Sequence, residues 1–227
     1  MQFGRPEQFH DKVVVRLRAI DRAVAQYQFS ADLLKKPIVP TLTHETALFM
    51  KGLGNDDNLL SATRELYFAS RELLDVYLGR LSTATKRTGK QTPKDCIPFL
   101  KRLMAGDFDN LPDPIFQFMK TNVNYIYHIR AIRNELKANP SNAEFIFNTN
   151  HFELRMPLPV KTDESALFQY LDFPNQAEAI ERKQYVVTLN LDILFPEMKQ
   201  FWAAMGSMLA TTSAPLTGTP LSVNKVE

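Results

Sequence analysis

Cysteine is almost absent from this sequence of 227 residues, which contains Cys96 alone. A single cysteine excludes an intramolecular disulfide framework and a cysteine-based zinc site, and it is typical of a reducing compartment. Glycine is also scarce, with 8 residues, which disfavours a turn-rich all-β fold. The sequence has no apolar segment that would serve as a signal peptide or span a bilayer. We therefore expect a cytoplasmic protein without a membrane partner.

Strong charge and metal-binding patterns are missing as well. The formal net charge is +2, too close to neutral to indicate a nucleic-acid-binding protein by itself. Three of the four histidines, His10, His44 and His151, share no close spacing with one another or with paired carboxylates. No glycine-rich phosphate loop and no nucleophile elbow is present. We expect neither a metal site nor a cofactor.

Aromatic residues are plentiful, with 16 Phe and 7 Tyr. Apolar residues recur at helical spacing along the first segment, namely Phe9, Val13, Leu17, Ile20, Val24 and Tyr27, and again after Leu59. This periodicity predicts a first helix over Pro6–Phe29 and a long central helix over Leu59–Arg87. Between them, two prolines and two glycines indicate a loop from residue 30 to 58 that encloses a short helix over His44–Met50. The core should therefore be aromatic and helical.

The second half begins with two more predicted helices. The segment CIPFLKRLMAGD predicts a short helix that ends at Gly106, where a left-handed backbone is tolerated. A second long helix is expected over Pro114–Lys137, with Asp113 as its N-cap. Asn139 and Pro140 should end it.

The pattern of apolar and polar residues changes after residue 142. The segments FIFNT, HFELRMPLPV and QYVVTLNLD alternate apolar and polar residues, which predicts a small antiparallel sheet between about residues 145 and 191. A last helix is expected over Leu194–Leu209, followed by a Thr-, Ser-, Pro- and Gly-rich tail over 210–227 that should be disordered. We therefore predict one mainly α domain over 1–209 with a β addition in its C-terminal half.

The segment YIYHIRAIRNELKANPSN, at the end of the second long helix, carries the main functional signal. Arg133 followed by Asn134 at this position resembles the signature of the HEPN family, in which Arg and a polar residue precede a His by a few residues. The two long predicted helices also resemble the helical pair of HEPN bundles. In this sequence Ala138 stands where the family has the histidine. The resemblance implies a HEPN-like helical bundle over about residues 55–142.

Metal-independent RNA cleavage needs two kinds of side chain. A base must take the proton of the attacking 2′-hydroxyl, and histidine suits this task because its pKa lies near neutral pH. A fixed cation must stabilise the charged phosphorane, and arginine suits that task because its guanidinium forks onto two phosphate oxygens. The resemblance gives the second role to Arg133, makes Asn134 an orienting partner, and leaves the base position to Ala138. Arg130 and Lys137 are candidate RNA-binding residues.

The resemblance also implies an assembly, because HEPN sites form where two protomers bring their motifs face to face. The expected partners are RNA as substrate, a second copy or another HEPN chain, and a neutralising or regulatory protein. The resemblance further implies a toxin or phage-defence effector. We expect cleavage to be severely weakened here, since no side chain at position 138 can move a proton.

Several alternatives stay open. Ala138 marks either a naturally non-cleaving module that binds a protein or a nucleotide, or a histidine-to-alanine substitution made because the active form is toxic. The intact RN and NPSN segments around it favour the second explanation. Arg133 and Lys137 can also simply stabilise the helix C-terminus, and in an unrelated helical scaffold RNELKA would be chance. A separate basic cluster offers another RNA track: Lys86, Arg87, Lys90, Lys94, Lys101 and Arg102.

Overall fold

The computed structural model describes residues 6–35, 44–86, 91–108, 114–148, 151–171 and 175–212. The helices are α1 (Pro6–Lys35), α2 (His44–Thr85), α3 (Cys96–Met104), α4 (Pro114–Thr121), α5 (Val123–Ala138), α6 (Ser165–Phe168), α7 (Gln176–Arg182) and α8 (Leu191–Thr212). The strands are β1 (Glu144–Asn148), β2 (His151–Pro159) and β3 (Gln184–Asn190). The prediction of a mainly α fold with a small antiparallel sheet is confirmed.

The first helix is longer than its sequence pattern indicates. Its predicted apolar stripe is confirmed, because Ile20, Val24 and Tyr27 are buried against the core. The predicted end at Phe29 is wrong, since the helix continues to Lys35. Ala31 and Leu34 remain buried in this extension, and the Nζ of Lys35 forms an ion pair with Asp192 of α8 at 2.7 Å. Tertiary contacts therefore extend a helix whose own periodicity fades.

The second helix corrects a larger error. The predicted loop from residue 30 to 58, with a separate short helix over His44–Met50, is wrong because α2 runs without a break from His44 to Thr85. Gly52 and Gly54 lie inside it. A glycine costs a helix about 1 kcal/mol relative to alanine but keeps its amide donor, whereas proline removes it. No proline occurs in α2, so every turn can form its hydrogen bonds.

The helix predicted over Pro114–Lys137 is divided in two. Helix α4 ends at Thr121 and α5 begins at Val123, with Asn122 between them in a non-helical conformation. The carbonyl of Phe118 accepts from the backbone amide of Asn122 at 3.1 Å and from its Nδ2 at 2.8 Å, so the side chain shares this helical acceptor with the backbone. The predicted end is confirmed, because α5 stops at Ala138 with Asn139 as its C-cap. The predicted N-cap Asp113 lies outside the described residues.

The short helix before this pair ends as predicted. Helix α3 finishes at Met104, and Gly106 follows with φ of 81°. The amide of Gly106 donates to the carbonyl of Leu103 at 3.2 Å, and that of Asp107 donates to Arg102 at 3.1 Å. These bonds satisfy carbonyls that the end of a helix leaves open.

The three strands form an antiparallel sheet in the order β1-β2-β3. Leu154 of β2 faces Leu189 of β3, and Met156 faces Val187. Alternate residues of β2 point inward and are buried against the helices, namely Phe152, Leu154, Met156 and Leu158. The last helix begins at Leu191 and reaches Thr212, beyond both predicted limits. Residues 210–212 of the predicted tail are thus helical, and 213–227 lie outside the described residues.

Aromatic residues join the helices at the centre of the molecule. The ring of Tyr77 in α2 lies 5.7 Å from that of Trp202 in α8, measured between centroids. The Nε1 of Trp202 donates to the hydroxyl of Ser70 at 2.9 Å, so the buried indole has its polar group satisfied. Within the described residues, no helix has the length and apolar character needed to cross a membrane.

Candidate functional site

The residues singled out from the sequence lie together in the last turns of α5. Arg130, Arg133, Asn134 and Lys137 have the spacing of one helix face, which adjoins the buried stripe of Ile129, Ile132 and Leu136. Ala138 lies one turn beyond Asn134 and is the last residue of the helix. The buried side of α5 therefore anchors the helix in the core, and the adjacent side carries the residues of the motif.

Arg133 is held against an aromatic ring of the central helix. Its Cζ lies 5.0 Å from the centroid of the Phe68 ring in α2, and its Nη1 donates to the Oδ1 of Asn134 at 3.2 Å. Its Nε is buried and has no hydrogen-bond partner among the described residues. Arg133 forms no direct ion pair with a described carboxylate, although its charge acts on Asp75 of α2. The guanidinium is therefore positioned by its contact with the Phe68 ring, and no direct ion pair neutralises it.

Ala138 and Lys137 are both exposed at the end of α5. A methyl group carries no titratable proton, so position 138 contributes neither a base nor an acid to its surroundings. Asn134, one turn earlier, is half-buried and engaged by Arg133. The predicted site is therefore a cation and an orienting amide beside a position without proton-transfer chemistry.

Glu135 organises the chain that follows the motif. This carboxylate is buried, at 8% exposure, although it lies on the same turn as Arg133. Its Oε1 accepts hydrogen bonds from the Nδ2 of Asn139 at 2.9 Å and the Nδ2 of Asn142 at 2.8 Å. The NPSN segment, which forms a short 3₁₀ turn over Pro140–Asn142, is thus tied back to α5.

Arg130 is engaged by protein groups. Its Nη1 lies 2.9 Å from the Oε1 of Glu164, a carboxylate with 2% exposure. The hydroxyl of Tyr127 donates to the other oxygen of Glu164 at 2.6 Å. Burial and this carboxylate together raise the pKa of Tyr127 well above its ordinary value. Because its charge is already matched, Arg130 is a weaker candidate for phosphate binding than Arg133.

His128 lies on a different side of α5 from the motif. Five positions separate it from Arg133, or about 140° around the helix axis. It lines a cleft of about 640 Å³ between α5, β3 and α8, together with Asn124, Ile132 and Ile193. Its ring also lies 6.0 Å from that of Tyr185. The structure thus separates this histidine from Arg133, and it does not replace the side chain that position 138 lacks.

The face of α2 that adjoins Arg133 carries further candidate functional residues, which the sequence alone did not reveal. Arg64, Phe68, Arg71 and Asp75 recur at intervals of four, three and four along α2, so they share one face. The Cζ of Arg64 lies 5.8 Å from the Phe68 centroid, and the Nη2 of Arg71 lies 2.9 Å from Asp75. Burial raises the pKa of Asp75, against the opposing charges of Arg71 and Arg133. The intervals of four, three and four are visible in the sequence and predict a shared helix face. The sequence does not show that this face of α2 packs against α5.

The basic cluster proposed as an alternative RNA track is partly engaged elsewhere. Arg102 lies 2.7 Å from Asp107, donates to the carbonyl of Gln91 at 2.8 Å, and stacks on Phe108. The Nζ of Lys101 donates to the carbonyl of Asp163. Lys86 and Lys94 are exposed, whereas Arg87 and Lys90 lie outside the described residues. Two of its cations thus stabilise the fold around α3.

Metal-ligating side chains do not converge in the part of the chain that the structure describes, where no group of three or more His, Cys, Asp or Glu residues could hold an ion. Known proteins provide no further guide. No family model matches the sequence, and comparisons with curated proteins and with solved structures find no match. The HEPN resemblance therefore rests on the residues of α5 and their placement in this fold.

Proposed function

We propose that this chain is a HEPN-type metal-independent endoribonuclease module whose cleavage is silenced by alanine at position 138. The environment of Arg133 carries the proposal. The guanidinium lies over the ring of Phe68, donates from its Nη1 to Asn134, and forms no direct ion pair with a described carboxylate. A preorganised cation of this kind suits a phosphate whose charge increases during reaction.

The chemistry needs one group more than the chain provides. In cleavage by 2′-hydroxyl attack, the hydroxyl loses its proton, its oxygen bonds to phosphorus, and the bond to the 5′-oxygen breaks as that oxygen gains a proton. Arg133 would stabilise the charged phosphorane, and Asn134 would orient a neighbouring group. A histidine at position 138 would lie one turn from Asn134, at an exposed helix end where it can accept the first proton.

The exposed end of α5 also supports the proposed assembly. Lys137 and Ala138 are both accessible to a second protomer. We expect two copies, or this chain and another HEPN chain, to bring their motifs face to face around one RNA strand. The toxin or phage-defence role, with a neutralising protein partner, is proposed on the family resemblance alone, as is a cytoplasmic location.

Restoring histidine tests the proposed activity. The variant Ala138→His should cleave single-stranded RNA in the presence of EDTA at a rate roughly 10²- to 10⁴-fold above that of the unmodified chain. It should also slow the growth of an expressing host. Ala138→Asn is the matched control, because asparagine is polar but transfers no proton at neutral pH. Adding Arg133→Gln to Ala138→His should abolish the gain.

If Ala138→His is folded and dimeric but neither cleaves RNA nor slows the growth of its host, the nuclease proposal is wrong. That result would leave the second candidate, a non-catalytic module that binds a nucleotide or a protein. The observation that favours this second candidate is Ala138 itself, because a binding site needs the cation of Arg133 but no base. A strictly monomeric state at micromolar concentration would count against both forms of a HEPN site.

A further inference from the structure

We propose that the α2–α5 groove, by which we mean the surface where Arg64, Phe68 and Arg71 of α2 adjoin Arg133 of α5, binds the phosphodiester backbone of single-stranded RNA. The binding groups are Arg64 and Arg71 in addition to Arg133. This inference rests on the proposed function, because it extends the site of that function onto a second helix. Neither α2 arginine belongs to the motif from which the site was predicted. Because α2 packs against α5, Arg64 and Arg133 share the ring of Phe68, and Arg71 and Arg133 both act on the carboxylate of Asp75.

Phe68 is the structural centre of the groove. The Cζ atoms of Arg64 and Arg133 lie 5.8 Å and 5.0 Å from the centroid of its ring. A guanidinium stacked on a ring keeps its N–H donors in its own plane, directed away from the ring. Both arginines are thus positioned by contact with the same apolar ring. The Nη1 of Arg133 is engaged by Asn134 and its Nε is buried, so its Nη2 is the nitrogen left for an acidic ligand. Phe68 is accordingly a positioning residue.

Arg71 adds a third cation. Its Nη2 is paired with Asp75 at 2.9 Å, and 17% of its side chain is exposed, so a phosphate would have to share this guanidinium with Asp75. Arg64, like Arg133, forms no ion pair with any carboxylate that the structure describes. Three arginines therefore line the groove, and two of them, Arg71 and Arg133, act on the carboxylate of Asp75, which also senses the charges of Asp95 and of Glu72, the latter paired with Arg16. This surplus of positive charge is what a phosphate-binding surface needs.

The spacing of the cations indicates the size of the ligand. Arg64 and Arg71 are seven positions apart, which is about 10.5 Å along the axis of α2. Each guanidinium is engaged one helical turn further along, on Phe68 and Asp75, so the spacing is kept at the charged ends. One phosphate group cannot contact both. A chain of phosphates can contact both, and Arg133 can contact the same chain from α5.

Binding of a fluorescently labelled single-stranded RNA, measured by anisotropy over a range of salt concentrations, tests the inference. Arg64→Gln and Arg71→Gln should each weaken binding roughly tenfold. Each should also lower the slope of log Kd against log salt by about 0.7. Arg64→Gln is the safer variant for folding, because this side chain is exposed and has no ion pair. Asp75→Asn should act in the opposite direction and tighten binding, which a purely structural role would not predict.

Arg182→Gln is the matched control. It makes the same change in charge on α7, where Arg182 is exposed and paired with Glu178 at 2.9 Å. Equal weakening by all three arginine variants would show an effect of net charge alone and overturn the inference. Unchanged binding by Arg64→Gln and Arg71→Gln, or no RNA binding by the unmodified chain, would also overturn it.

The two proposals can fail separately. If Ala138→His cleaves RNA and the groove variants made in that background leave its KM unchanged, the groove inference is wrong and the nuclease stands. If RNA binding depends on Arg64 and Arg71 but Ala138→His does not cleave, the groove stands and the nuclease proposal is wrong.

Discussion

Asn142 donates a hydrogen bond from its Nδ2 to the Oε1 of Glu135, across a distance of 2.8 Å. Asn139 donates to the same oxygen at 2.9 Å, so both asparagines of the NPSN segment bind one buried carboxylate. This arrangement gives the segment a role in the fold. Its persistence beside Ala138 is therefore explained without catalysis, and it no longer favours a deliberate substitution over a naturally non-cleaving protein.

Removing the Glu135 carboxylate should loosen this junction. Glu135→Ala is expected to lower the free energy of unfolding by about 1.5–3 kcal/mol, because it deletes two hydrogen bonds to a charged group. Glu135→Gln keeps an oxygen acceptor and should cost less. Urea denaturation measures both, with Glu144→Ala at an exposed position of β1 as the control. Equal losses for Glu135→Gln and Glu135→Ala would show that hydrogen bonding by an uncharged oxygen contributes nothing here.

The ion pair between Arg130 and Glu164 should contribute far more than an exposed pair. Glu164 is 2% exposed and Arg130 is 20% exposed, so Glu164→Ala leaves a poorly solvated cation without its partner. We expect a loss of about 3–5 kcal/mol in the free energy of unfolding. Glu178→Ala breaks the exposed pair with Arg182 and should cost about 0–1 kcal/mol.

Thermal or urea unfolding of both variants decides the role of Arg130. A small effect of Glu164→Ala, similar to that of Glu178→Ala, would contradict a structural assignment and restore Arg130 as a candidate RNA contact.

Local sequence signals predicted which segments fold, but not where helices continue or break. The stripe of Ile20, Val24 and Tyr27 predicted α1, and the alternation in β2 predicted the sheet, since both patterns arise from burial of one face. The sequence does not predict the continuity of α2 through Gly52 and Gly54, because glycine is also the residue that commonly ends helices. It does not predict the break at Asn122 either, because a single non-helical residue leaves the apolar spacing of α4 and α5 nearly unchanged.

The candidate site likewise has a part that the sequence predicts and a part that it does not. The spacing of Arg133, Asn134 and Ala138 within one helix could be predicted, because sequence fixes the positions of neighbours on a helix. The aromatic partner of Arg133 could not be predicted, since Phe68 comes from a helix more than fifty positions earlier. Likewise, Arg130 was assigned to RNA without knowledge of Glu164, which reaches it from the segment between β2 and α6.

Cys96 should be inert in the folded protein and should make stability depend on alkaline pH. Burial raises the pKa of its thiol from 9.0 to about 12, partly offset by Arg71 and Arg130. At pH 8 we expect Ellman's reagent to modify it only as fast as the protein opens, and rapidly in urea. The unfolded thiol ionises near pH 9 and the folded thiol near pH 12, so its stabilising contribution is lost as pH rises between them.

Cys96→Ala isolates this contribution from those of the buried tyrosines. The loss of unfolding free energy between pH 9 and 11 should be smaller in this variant by roughly 1–3 kcal/mol. Identical pH profiles for the two proteins, or rapid labelling of the folded chain, would show that the thiol is accessible.

Two glycines should respond to alanine with opposite signs. Gly79 lies inside α2, and a Cβ built there meets no atom within 4 Å. Gly79→Ala should therefore raise the free energy of unfolding by about 0.5–1 kcal/mol, because alanine loses less backbone entropy on forming a helix. Gly106 has φ of 81°, in the left-handed region that an L side chain adopts at a cost. Gly106→Ala should lower the free energy of unfolding by about 1–2 kcal/mol.

Thermal unfolding of the two variants, measured in one buffer, checks both signs, and each variant serves as the control for the other because the chemical change is identical. A gain at both sites would mean that α3 ends without a left-handed residue. A loss at Gly79 would mean that the α2 surface there is covered by a further part of the chain or by a second protomer. If a second protomer covers Gly79, the loss should depend on protein concentration. Repeating the measurement at a tenfold lower protein concentration therefore separates a dimer contact from intramolecular packing.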